Sequence, residues 1–302
     1  VQGFFNKKEI DTAFDVPGVG RFRVNIFYQR GYAGFAFRHI EAQILNFAEL
    51  NMPVEALSKL ARLPRGLVLV TGITGSGKST TLAAMINYIN EHFNRHIVTI
   101  EDPIEFLHRD KRSIVNQREV GEDTESFASA LRHVVRQSPD VILIGEMRDL
   151  ETMEAALSAA ETGHLVFSTL HTVDAIQTVE RIINFFPPHQ HQLIRLQLSM
   201  VLEGVVSQRL LPRKDGTGRV PAVEIMMATP TIRDMLLEGR TTELYKAIKE
   251  GHYFGCQTFN QSLKAIYEKD LITLADALSS ADNPDELKME LKGIVRAVSY
   301  TH

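Results

Sequence analysis

The chain has 302 residues, 44% of them hydrophobic and 23% charged, enough to bury a large core and to divide into two or more units. A formal net charge of -4 provides no overall basic field to recruit nucleic acid or anionic lipid. The only cysteine, Cys256, excludes an intramolecular disulfide and a four-cysteine zinc site, and it fits a reducing cytoplasm. No apolar run approaches the roughly 18 residues needed to span a bilayer, so direct membrane insertion is not expected. Residues 1–10 lack the basic-then-apolar order of a signal peptide, and without an initiator methionine the natural N-terminus is expected to lie ahead of Val1.

Residues 12–39 alternate, with Phe22, Val24 and Ile26 on one face and Arg21, Arg23 and Asn25 on the other, and with Gly18, Gly20, Gly31 and Gly34 at turns. The pattern predicts a small antiparallel sheet. In its third strand Phe35 and Phe37 oppose Ala36 and Arg38, so the polar face carries several arginines. Residues 40–65 turn helical and polar and read as a linker with a short helix, closing at Leu63-Pro64-Arg65. Strongly apolar strands at 66–71, 96–100, 141–145 and 165–170 then alternate with helical stretches such as 79–91 and 124–137, the rhythm of a parallel sheet flanked by helices. Beyond Met227 the apolar spacing is helical through 231–238, 244–248, 259–267 and 287–298. The expected partition is a sheet unit at 1–41, a linker at 42–65, an α/β core at 66–228 and a helical subdomain at 229–302. In the first of those C-terminal helices Thr231 is placed as the cap, while Ile232, Met235 and Leu236 form one stripe and Arg233, Asp234 and Glu238 face elsewhere.

Gly72-Ile73-Thr74-Gly75-Ser76-Gly77-Lys78-Ser79 matches the phosphate-binding pattern GxxxxGK[ST] between an apolar strand and a helix. Glycines let the backbone curl its N–H groups onto a β-phosphate, Lys78 adds charge toward the β- and γ-phosphates, and Ser79 reaches Mg²⁺. Gly72, Thr74, Gly75, Ser76, Gly77, Lys78, Ser79 and the following Thr80 are the binding candidates, for ATP with Mg²⁺. The strand at 141–145, expected beside the phosphate-loop strand, ends in Gly145-Glu146-Met147-Arg148-Asp149. Gly145 occupies the place of the usual magnesium-binding aspartate, and Glu146 supplies the carboxylate, either for metal-bound water and the attacking water or as a helix N-terminal acid. Glu101, Asp102 and Glu105 close another strand, a costly cluster unless a cation or water network uses it; Glu101 joins Ser79 and Glu146 as a metal candidate. His164 and His171 bracket the strand at 165–170, as structural or as functional histidines.

The phosphate loop with residues 101–105, 145–149 and 163–172 resembles the Walker A, Asp, atypical Walker B and His boxes of the secretion ATPase superfamily, in order. The wording of 74–85, of 115–121 (Val-Asn-Gln-Arg-Glu-Val-Gly) and of 145–149 is similar to its PilT/PilU retraction branch, which dismantles type IV pili. The resemblance implies a RecA-like P-loop core, a PAS-like N-terminal domain of which only the end is present, and a cytoplasmic homohexamer that pulls on an inner-membrane platform protein, with a paralogous retraction ATPase as a further partner. It implies that Glu146 and Glu105 carry hydrolysis, that Arg23 and Arg38 reach nucleotide phosphates, and that His164 and His171 sense or relay nucleotide state. A sheet face bearing arginines independently suits a phosphate partner. Thr231-Ile232-Arg233-Asp234-Met235-Leu236-Leu237-Glu238 keeps the spacing but not the wording of the family's C-terminal output motif, Ala-Ile-Arg-Asn-Leu-Ile-Arg-Glu. Rival readings are a pilus-assembly or type II secretion ATPase, against which the single cysteine argues, a nucleic-acid translocase, against which the charge argues, and a nucleotide-gated adaptor.

Overall fold

The computed structural model describes residues 8–16, 19–40 and 43–292. Strands β1 (Glu9–Val16), β2 (Gly20–Gln29) and β3 (Tyr32–Ile40) form an antiparallel sheet in the order β1-β2-β3. Arg30 and Gly31 both take positive φ (49° and 84°) in the β2–β3 turn, the conformation that suits the twist of a two-residue hairpin. The resulting register sets Arg23 opposite Arg38 and Val24 opposite Phe37. The expected arginine face therefore exists, and the other face leaves Phe35 and Phe37 stacked at 6.2 Å and open to solvent.

Helix α1 (Val54–Ala61) drives Leu57, Leu60 and Ala61 into the interior. The core then runs β4 (Gly66–Thr71), α2 (Lys78–His92), β5 (His96–Glu101), β6 (Ile114–Glu119), α3 (Phe127–Val134), β7 (Val141–Ile144), α4 (Leu150–Glu161) and β8 (Leu165–Leu170). It continues through α5 (Ala175–Asn184), α6 (His191–Val201), β9 (Leu202–Pro212) and β10 (Arg219–Met227). The sheet order is β10-β9-β4-β8-β7-β5-β6, parallel throughout except that β10 returns antiparallel to β9. Strands β4, β7 and β8 are buried along their whole length, which is why they read as unbroken apolar runs rather than alternations.

Three expectations about the core are corrected. The strand ending at Glu146 does not neighbour the phosphate-loop strand, because β8 lies between them; buried apolar runs carry no record of their order. Strand β6 and the β9–β10 hairpin add to the four strands expected. The helix expected from residue 124 starts at Phe127, where the Ser126 side chain accepts the Ser129 N–H, and it tightens into a 3-10 turn over Val135–Gln137.

The C-terminal helices are α7 (Pro230–Glu238), α8 (Leu244–Glu250), α9 (Phe259–Glu268), α10 (Leu274–Ser279) and α11 (Pro284–Leu291). Ile232, Met235, Leu236, Leu244 and Ile248 join the main core, while Phe259, Leu263, Ile266 and Leu287 gather against Leu211, Val220 and Ala222 of the hairpin. Among the described residues no helix is long and apolar enough to cross a membrane.

The cap of α7 is Thr229, not Thr231: its hydroxyl accepts the Ile232 N–H at 3.3 Å, and Pro230 takes the first helical position, where its missing N–H costs nothing. Arg233 is held within the fold. Its guanidinium donates to the Ser199 and Met200 carbonyls at 2.8 and 3.3 Å, at the end of α6, and to Glu203 at 2.9 Å, tying α7 to α6. Arg233→Ala is expected to remove about 1–3 kcal/mol of stability and several degrees of melting temperature, with turnover per folded molecule unchanged. A calorimetric scan beside a hydrolysis assay checks this, and an unaltered melting curve would show the tie to be dispensable.

Candidate functional site

The loop between β4 and α2 is built for an anion. Gly72 has φ +143°, and a Cβ there would lie 2.5 Å from Ser76 Oγ and 2.6 Å from the Gln208 carbonyl, so the first turn of the loop admits only glycine. Gly77, left-handed at φ +91°, begins α2 without a side-chain cap, and the first turn carries no acidic residue. The leading N–H groups of α2 have no acceptor within the helix, and their positive dipole end meets the cavity. Ser76 Oγ is buried without a hydrogen-bond partner. Lys78 Nζ folds across the loop onto the Gly72 and Ile73 carbonyls at 2.9 and 3.1 Å. Burial pulls the Lys78 pKa down, with Glu146 and Glu105 opposing, so both carboxylates act on this ammonium.

Ser79 Oγ donates to Glu105 Oε1 at 2.9 Å. Glu146, at the end of β7, meets Arg148 at 2.8 Å and His171 Nε2 at 3.2 Å. Burial pushes its carboxyl up, but Arg148 and His171 together outweigh burial and hold it below its ordinary value. The helix N-terminal alternative for Glu146 falls away, since α4 begins at Leu150 and is capped by Asp149, which accepts from the Thr152 N–H at 2.8 Å. At Gly145 an added Cβ would lie 3.4 Å from both the Ile100 carbonyl and Glu101 Cα, so this position packs closely on β5.

Lys78, Ser79, Glu105, Glu146, Arg148 and His171 line one cavity of about 620 Å³ together with Thr74, Gly75, Gly77, Thr80, Glu101, Arg23 and Arg38, while Gly72 and Ser76 belong to the loop without lining it. Sequence reasoning therefore placed most of its candidates in one space, across two sheets far apart in the chain. One cavity residue is engaged by its own strand neighbours, and one histidine lies outside the cavity. Glu101 accepts from Thr99 Oγ1 at 2.6 Å and Gln117 Nε2 at 3.1 Å, and burial pushes its carboxyl up despite those bonds. Its carboxyl is thus engaged within the β5–β6 pair, whereas Glu105 is bonded to Ser79 of the phosphate loop. His164 stands at the other end of β8 from His171, its ring Nδ1 2.9 Å from the Ala159 carbonyl, and it is not brought to the cavity.

Sequence reasoning missed Arg148 as the partner of Glu146 and His108 as part of the cavity wall. Burial, then Lys111, lowers the His108 pKa to about 4, so its ring is neutral at physiological pH. Arg148 could have been found from its place two residues after Glu146 at a strand end; His108 lies in irregular chain that carries no signal. Among the described residues no cluster of three or more His, Cys, Asp or Glu side chains could cage a metal.

A glycine-cradled anion site with a lysine, a hydroxyl and facing carboxylates, at the ends of a parallel RecA-like sheet, defines a P-loop ATPase. The chain belongs to the type II/IV secretion system protein family, whose model matches residues 22–277. It is 51% identical over 277 residues to the type IV pilus retraction ATPase PilT of Pseudomonas aeruginosa, covering 92% of this chain and 80% of the relative. It is 46% identical over 289 residues to the type IV pilus ATPase PilU of the same organism, covering 96% and 75%. A crystal structure of the pilus retraction motor PilT with bound ADP superposes with a TM-score of 0.89 at 51% identity, covering 95% of this chain and 81% of that one.

Proposed function

We propose that this chain is the ATP-hydrolysing motor that retracts type IV pili, working as a cytoplasmic homohexamer against an inner-membrane platform protein, alone or beside a paralogous retraction ATPase. The observation that carries the reading is the convergence of Lys78, Ser79, Glu105, Glu146 and His171 on one cavity whose far wall holds Arg23 and Arg38, in a chain 51% identical to a named retraction ATPase.

ATP phosphates settle on the 72–79 loop, where backbone N–H groups, Ser76 Oγ and Lys78 receive them. Ser79 and Glu105 would hold Mg²⁺, which when bound neutralises charge on the β- and γ-phosphates. Glu146, kept ionised by Arg148 and His171, orients the attacking water, with Glu105 the alternative for this role. Arg23 and Arg38 close on the γ-phosphate from the N-terminal sheet, so that gain and loss of that phosphate moves one sheet relative to the other, the displacement a ring can pass to its load.

Lys78→Ala is expected to weaken ATP binding about 10- to 100-fold, the worth of a charge-assisted contact, by titration with a fluorescent analogue. In the host, loss of the gene is expected to leave cells hyperpiliated and unable to twitch. Bald cells would replace retraction by assembly, and hydrolysis that requires DNA would replace both by translocation.

A further inference from the structure

Glu224 on β10 is 3% exposed, and a carboxylate in that position is costly unless it has a task. Its Oε1 accepts the Ala175 N–H at 2.7 Å. Ala175 opens α5, so this N–H has no acceptor within its own helix, while the Asp174 side chain serves Gln177. Residues 171–174 connect β8 to α5. Strand pairing fixes one end of that connection and Glu224 fixes the other. Within it the Thr172 and Thr178 hydroxyls share a hydrogen bond at 2.7 Å, and Thr178 reaches the Asp174 carbonyl at 2.6 Å. The His171 side chain is 46% exposed yet meets Glu146 at 3.2 Å. A ring this exposed depends for its place on the backbone that carries it as well as on that contact.

We propose that Glu224 is a positioning residue for ATP hydrolysis: by anchoring the first turn of α5 it fixes residues 171–174 and keeps His171 against Glu146. The proposal rests on the reading of His171 and Glu146 as hydrolytic groups. The charged groups around Glu224 are Asp174 of the α5 cap, Arg209 of β9 and Asp282 of the turn before α11. Burial pushes its carboxyl up to about 7, the Ala175 N–H opposes, Asp174 and Asp282 raise it further and Arg209 lowers it. A carboxyl raised in the folded state contributes stability that is complete below the unfolded pKa, the ordinary 4.5, and lost as pH rises through about 7. The site thus keeps a group that costs stability at neutral pH, the pattern of a residue retained for activity.

The test uses the full chain with Glu224→Gln, assayed at pH 8, above the value of about 7 to which the parent carboxyl is raised, where the variant keeps the volume but exchanges the charged acceptor of the Ala175 N–H for a weaker neutral one. Its kcat is expected to fall about 10- to 100-fold, the cost of a small misplacement of a reacting group, with KM for ATP within about twofold. Its melting temperature, relative to the parent, is expected to rise between pH 5 and pH 8. A merely structural defect would lower both activity and melting temperature. In a His171→Ala background Glu224→Gln is expected to slow hydrolysis no further. Parental kcat in Glu224→Gln beside a slow His171→Ala overturns the proposal and leaves the reading of the site standing, as does a further tenfold loss in the double variant. Parental kcat in His171→Ala overturns that reading itself. If the amide does not fold, Glu224→Asp, which keeps the charge but withdraws it from Ala175, is expected to lose kcat equally, and a parental rate there also overturns the proposal.

Discussion

Glu146→Gln is expected to bind ATP with near-parental affinity and to hydrolyse it at least about a hundredfold more slowly, a barrier increase of about 2.7 kcal/mol. The amide keeps the shape of the side chain at the end of β7, so folding changes little. What it removes is the negative charge that faces Lys78 from across the cavity and that Arg148 and His171 hold in the ionised state. Because the folded pKa lies below the ordinary 4.5, the stability this group contributes is present above that value and is lost as pH falls through the lowered one. Activity at neutral pH should therefore show no titration from Glu146. Single-turnover hydrolysis by the parent and the variant, with ATP saturating, decides the assignment. Near-parental turnover would pass the water-orienting role to Glu105, already bonded to Ser79 at 2.9 Å.

What could be read from the sequence divides along physical lines. The phosphate loop was legible to the residue, because glycines, lysine and hydroxyl at fixed spacing between strand and helix leave little else they could be. Strands β4 and β8 were bounded correctly for a similar reason: a short apolar run between polar breaks is buried on both faces. Illegible was anything decided by neighbours distant in the chain. The insertion of β8 between β4 and β7, the use of Arg233 to close the end of α6 and the bond from Glu224 to the start of α5 depend on packing between elements, which local periodicity does not encode. The Thr229 cap was missed by one motif shift: Pro230 marks the first helical position, so the cap precedes it. His164 and His171 looked equivalent as the two ends of one strand, but only the end that points with the phosphate loop reaches the cavity.

Substituting Arg23 and Arg38 together by alanine is expected to cut ATP hydrolysis by about 10³-fold or more, within the range for arginine fingers, while leaving the fold at least as stable. Their register places the two residues directly opposite each other, and like charges on directly opposed strand positions repel. Among the described residues the ion pair that meets them is weak: Asp11 lies 3.8 Å from Arg23, with 60% of its side chain exposed, and exposed pairs contribute little. An anion between the two arginines would remove the repulsion, and the cavity that both line contains the phosphate loop and Glu146. On the proposed reading a bound γ-phosphate would relieve that cost, and closure of the sheet on the core would then depend on nucleotide state. Thermal melting without nucleotide and hydrolysis at saturating ATP separate the two effects: the double variant should melt at or above the parental temperature and gain less stabilisation from ATP. A variant that melts lower and hydrolyses normally would make these arginines ordinary strand-edge charges, and the coupling between sheet and core would then have to run through other contacts.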